Sequence, residues 1–412
     1  GVNGQVVARS GDVVLIAPNV QTGEQAVVQS PNGATVIAAG QKVELTGRGL
    51  EGIRLELQAP DNQAVNLGQI QGDAVGVFAG QLRHSGLIQA TAVTAEGGKV
   101  VLKAQGEADV AGRVTAQKAS LGGQIHATAS KVRLRSGAVI DASGAAGGGE
   151  VLVGGGWQGK DARVANAQET VAETGSTIKA DATDNGNGGT VVLWSDGTTR
   201  FAGAISARGG ADGGNGGQVE TSGKETLFAR GGRVDTRAPR GATGNWLLDP
   251  NIITITGGCA PGPAPCPPPP AAVVDNDTVY EGDLEAANSH ITLTAINGIV
   301  VSGSFGGNDV TVPSGLNLTL QTNATGGGTG IDLTGVEFKT SGGGSIQMSV
   351  GNSGQTIKPG KLTVAGSGSI TINSVGQLDV TSTTLQTGGG NITLSGAGAS
   401  SGEGVKVSAS TI

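Results

Sequence analysis

The chain has 412 residues, a net charge of −7, 76 glycines and only 2% aromatic residues. Rings this scarce cannot fill a conventional globular core, the glycines lack collagen's every-third-residue period, and no apolar run approaches the roughly 18 residues of a membrane-spanning helix. The 37% of hydrophobic residues favour a thin aliphatic core, their alternation with polar residues argues against disorder, and the lack of a basic tract argues against a nucleic-acid partner.

Residues 1–60 hold short strand signals at 12–17, 34–39 and 42–45, each bounded by Gly, Asn or Pro. Residues 52–57 alternate cleanly, and Phe78 is expected to plug the inner core. A unit of two glycines, a polar residue and a β-branched residue then recurs. It ends at Val100, Ile125, Val151, Val191 and Val219, with steps of 25, 26, 40 and 28 residues. The long step is expected to hold a loop around Trp157, with helical potential at 163–173. The stretch 244–250, with Trp246, is expected to close this block before a strand at 252–256. Next come Cys259 and Cys266, four prolines at 267–270 and an acidic stretch with one short helix at 281–287. From Ile291 simpler strands recur, with Thr and Ser at the outward positions. The expected divisions are a glycine-rich block at 1–256, a connector at 257–290 and a Thr/Ser-rich block at 291–412.

A strand of four to six residues is not stable alone. Stacked on like strands about 4.8 Å above and below, it pairs its backbone and buries its inward side chains. The repeat therefore predicts an all-β fold, a parallel β-helix (β-solenoid) with a few loop insertions, right-handed by the crossover rule. Glycine and asparagine at the corners are expected to supply positive φ angles. A pair of β-sandwiches is the weaker alternative, because sandwiches usually carry bulky aromatic cores. The chain opens directly in strand-and-turn sequence, shows no signal peptide and stops in mid-pattern at Ile412, so it is expected to be a mature piece of something longer.

The Gly-Gly-x-Val units, the stretch 189–196 with Trp194, and Asn245-Trp246-Leu247-Leu248-Asp249-Pro250 followed by Ile252-Ile253-Thr254-Ile255 resemble the filamentous haemagglutinin family. These are two-partner secretion exoproteins of Gram-negative bacteria. The resemblance covers most of residues 85–256. It implies a secreted β-helical adhesin or matrix fibre that crosses the outer membrane through a dedicated β-barrel transporter. Its implied role is cell-surface attachment, aggregation or matrix building. Further expected partners are a host surface or matrix polysaccharide, and other copies of the chain in fibres. The alternatives are a self-assembling fibre subunit, a β-helical polysaccharide-degrading enzyme, and the stalk of a contact-dependent toxin.

The residues themselves point away from catalysis. His84, His126 and His290 are isolated and expected at the surface or a coil edge, and no nucleophile–base arrangement is visible. Lys131, Arg133 and Arg135 alternate on one strand face, with Glu150 in the next coil. This is either an anion-binding row or a solvated face. Trp157 is expected to be exposed, where it could stack on a sugar ring, and Trp194 to be a core or coil-edge residue. Cys259 and Cys266 flank a proline loop in a chain with no other cysteine, which fits a disulfide made in an oxidising compartment over two free thiols. No cofactor is expected. Asp275, Asp277, Glu281 and Asp283 could gather round calcium, but a solvated acidic loop is the simpler reading.

Overall fold

The computed structural model describes residues 1–40, 42–45, 50, 53–56, 61–93, 98–257, 277–323, 328–376, 378–397, 404–408 and 410–412. The chain forms a parallel β-helix whose contacts divide it into two compact units. The first comprises Gly1–Glu220 with Asp235–Gly244, and the second Thr221–Val234 with Asn245–Ile412.

In the first unit the glycine-anchored repeats are successive coils. Val75, Val100, Ile125, Val151 and Val191 stand in direct register on neighbouring parallel strands. A second ladder runs Ile88, Val114, Ile140, Ile178, Ile205. A third side stacks Leu82, Ala108, Val132, Thr170 and Thr199. All of these side chains are buried, and each buried Val or Ile stabilises the stack by about 1.5–3 kcal/mol.

The repeat glycines act mainly by steric clearance. Gly149 and Gly189 have no positive φ, yet a Cβ on Gly189 would overlap the Gly149 carbonyl, and one on Gly149 would overlap that of Gly123. Consecutive coils approach backbone to backbone there, and only a residue without a side chain fits.

Two excursions from the coils cover outward faces. Phe78 does not plug the inner core. It alternates with the inward Val75, Val77 and Ala79, and packs outside with Ala34, Val36, Ala74, Leu50 and Val101. The insertion after Val153 likewise folds back over the strands Glu150–Val153 and Thr190–Ser195. It contains a 3₁₀ turn at Trp157–Gly159 and the strand Glu169–Ala172, and no helix at 163–173. That strand pairs with Lys131–Leu134 and Thr198–Phe201, and two parallel ladders override a weak helical propensity.

In the second unit Trp246 heads the inner ladder Trp246, Ile291, Leu318, Ile346, Ile370, Ile392. Expected to close the first block, it instead opens the second unit. Other sides stack Ile253, Ile299, Ile331 and Ile357, and Val310, Phe338, Leu362 and Leu385. The short helix is Glu281–Glu285.

Candidate functional site

Strand Lys131–Leu134 lies between Glu107–Val110 and Glu169–Ala172. Its outward residues therefore meet acidic residues on both sides. Lys131 Nζ is 2.8 Å from Glu169. Arg135 donates two hydrogen bonds to Asp109, both 2.8 Å, and reaches Glu173 at 3.3 Å. Arg133 sits 3.5 Å from Glu173 and 3.7 Å from Glu107. The bond to Asp109 holds the Arg135 guanidinium above its usual range. These pairs are partly exposed, so each contributes about 1 kcal/mol or less. Their main effect is to neutralise the row and fix its rotamers. Glu150 is not part of it.

Glu150 belongs to a second group on another side of the coil. His126 Nε2 is 2.9 Å from Glu150, Arg163 contacts both carboxylate oxygens at 3.0 and 3.3 Å, and Arg163 also clamps Asp161. The His126 hydrogen bond, aided by Arg163, pulls the Glu150 pKa down, and Arg163 holds Asp161 at about 2. This network ties the covering loop to the coil wall. Beside it lies an outer apolar layer of Leu152, Val164, Val192 and Trp194, with Trp157 half-buried against it. A Cβ at Gly155 or Gly159 would run into the Trp194 indole, so the loop can lie flat on the ring only as glycine. Trp194 Nε1 donates to Asp196 at 3.2 Å, and the Gln158 amide donates to the buried Glu220 at 2.8 Å. The indole of Trp157 is thus packed into the loop rather than free of it.

The histidines are more buried than their isolation in sequence suggested. His84 is 1% exposed. Its Nδ1 accepts from Asn66 at 3.0 Å and its Nε2 donates to the Arg113 carbonyl at 3.2 Å. Burial pulls its pKa down to about 4. In the second unit His290 Nδ1 accepts from the Asn317 amide at 2.9 Å.

The acidic stretch is not a solvated loop where it is described. Glu281 and Asp283 are buried. Asp283 accepts from the Gly231 amide at 3.1 Å and from Arg233 at 2.9 Å, Asp277 accepts from the Leu227 amide, and Arg230 stacks on Tyr280 with 4.2 Å to the ring centre. Burial raises the pKa of both aspartates. These groups dock the short helix onto the coil. Among the described residues no group of three or more His, Cys, Asp or Glu is placed to hold a metal ion. Asp275, Cys259 and Cys266 lie outside the described residues.

The structure thus separates Lys131, Arg133 and Arg135 from Trp157, and brings Trp157 beside the unforeseen group His126, Glu150, Asp161 and Arg163. The only sequence signal for that group was its place in or beside the irregular 40-residue step.

The whole chain was compared with known proteins. It is similar to the HMW1 secretion domain from Haemophilus influenzae, known from a crystal structure, at 32% identity and a TM-score of 0.50. The family resemblance read from the repeats holds. The match covers 60% of this chain and 64% of that one, so the chain spans less than two thirds of its relative. No family model and no curated protein matches it.

Proposed function

We propose that this chain is part of a secreted β-helical exoprotein of the filamentous haemagglutinin type, passed through the outer membrane by a dedicated transporter and serving an adhesive or structural role outside the cell. The observation that carries this reading is the 32% identity to a secretion domain, joined to a parallel β-helix of stacked repeats. A non-enzymatic role is supported by the use of the charged side chains. The acidic and basic residues of the rows around Arg133 and Glu150 are committed to pairs across coils, as a scaffold requires.

The test is export. The chain, supplied with a signal peptide, is produced in a Gram-negative host with and without its cognate outer-membrane transporter. Transporter-dependent appearance in the medium or on the cell surface is expected. Equal periplasmic retention in both strains would sink the reading.

A further inference from the structure

We propose that a concave groove on the second unit binds an uncharged polysaccharide chain. The groove has a volume of about 670 Å³ and is lined by residues of four successive coils. One wall carries the strands Gly330–Asp332 and Thr356–Lys358. The other carries Asp309–Thr311, Glu337–Thr340, Lys361–Val364 and Thr384–Thr387.

The geometry points to an extended, repeating ligand. Each coil turns this corner through a left-handed residue: Asn308 (φ 60°), Gly335 (φ 89°), Gly360 (φ 64°) and Ser382 (φ 52°). Two of these are not glycine, and such strain persists where surrounding structure over-determines it. Four coils span about 14 Å from first to last at the spacing of paired strands. The rise per coil is comparable to the advance per ring in an extended β-linked glycan. A chain lying along the groove therefore meets a similar set of groups at each step.

The chemistry points to sugar without charge. The buried Val336, Ile357 and Pro359 give an apolar floor, and the hydroxyls of Thr334, Thr356 and Thr384 line the groove above it. That mixture suits a ring with C–H faces and hydroxyl edges. The two lysines of the groove are already matched, Lys358 with Asp332 at 2.8 Å and Lys361 with Glu337 at 3.1 Å. A polyanion would find no excess positive charge to exchange for its counterions. A peptide adding as a strand would find no open ladder at Glu337–Thr340 or Lys361–Val364, each already paired on both sides. The proposal rests on the extracellular reading above, since polysaccharide is met outside the cell.

The experiment measures binding of the purified chain to mannan, xyloglucan, laminarin and dextran, with heparin and duplex DNA as polyanions, by calorimetry and affinity electrophoresis. At least one uncharged glycan is expected to bind, with affinity constant to within about twofold between about 50 and 200 mM salt. Thr384→Trp and Thr356→Trp, which fill the groove from opposite walls, are each expected to weaken it at least about tenfold, roughly 1.4 kcal/mol. Gln347→Trp, an outward residue on another strand row, is expected to leave it unchanged. The proposal is overturned if no uncharged glycan binds, if only the polyanions bind, or if both groove variants bind like the parent. Because the assay uses purified chain, a negative result removes the groove assignment alone, and failure of export removes only the secretion reading.

Discussion

The outward faces of the two units are built differently. In the first unit the strands Glu150–Val153 and Thr190–Ser195 are buried on both faces after their first residue. Their inward side chains fill the coil, and their outward ones lie under the covering loop. In the second unit Leu318–Thr322 and Ile370–Ser374 alternate strictly between buried and half-buried. Their outward residues are Thr, Gln and Asn. One helical scaffold thus supports two surfaces. An apolar outward row needs a cover, and a polar outward row leaves the coil side open to solvent, including the groove at its corner.

Tryptophan removal gives the largest expected contrast. Trp246 is fully buried inside the second unit and donates to Thr221 at 2.9 Å. Trp246→Ala is expected to cost about 3–5 kcal/mol. Trp194 lies under the loop of the first unit and is 5% exposed. Trp194→Ala is expected to cost less, because the loop can settle into the space, and to release the loop while the inner ladders persist. Hydrogen-exchange mass spectrometry reads both. Broad loss of protection across the ladders of the first unit in Trp194→Ala would show that the outer layer is integral to the coil.

Acid should act next most strongly, through His84. The unfolded residue keeps a pKa near 6.5, and the folded one is held at about 4. The unfolded chain therefore takes up the proton first as pH falls. This contribution is complete above about pH 6.5 and is lost as pH drops toward 4, on the order of 3 kcal/mol in all. Urea midpoints for the parent and His84→Gln should converge as pH is lowered from 7 to 4.5. A gap that stays constant over that range would show that His84 does not titrate differently in the two states.

The smallest expected effect separates two kinds of glycine. Gly189→Ala places a methyl against the Gly149 carbonyl and is expected to cost about 1–3 kcal/mol through overpacking. Gly335→Ala meets no atom within 4 Å but must hold φ at +89°, which costs about 1–2 kcal/mol. Restoring the loss with Asn, which tolerates that φ, should succeed at 335 and fail at 189. Equal rescue at both sites, measured by thermal unfolding, would abolish the distinction.

Much of the coil was legible because a parallel β-helix writes its register into its sequence. The residues spaced 25, 26 and 40 apart are in fact direct partners. Even the long step kept its register, since an insertion at a corner leaves the strand row intact. What the period could not show was how the departures fold back. Phe78 and Trp157 look alike whether they face the core, the solvent or a covering loop, because a lone aromatic carries no period. The buried histidines and aspartates were equally opaque. Their partners lie 18 to 52 residues away, from Asn66 to His84 and from Gly231 to Asp283, on neighbouring strands or coils.

Sequence by itself determined the architecture of this protein: short β-branched strands, glycines at a fixed period, and hence coils stacked in parallel. Local patterning suffices for that, because each coil repeats the contacts of the one below. Only the tertiary structure decided which faces are covered, which charges cancel and where a groove remains. Those outcomes depend on side chains brought together by the winding of the chain, at separations no local pattern encodes.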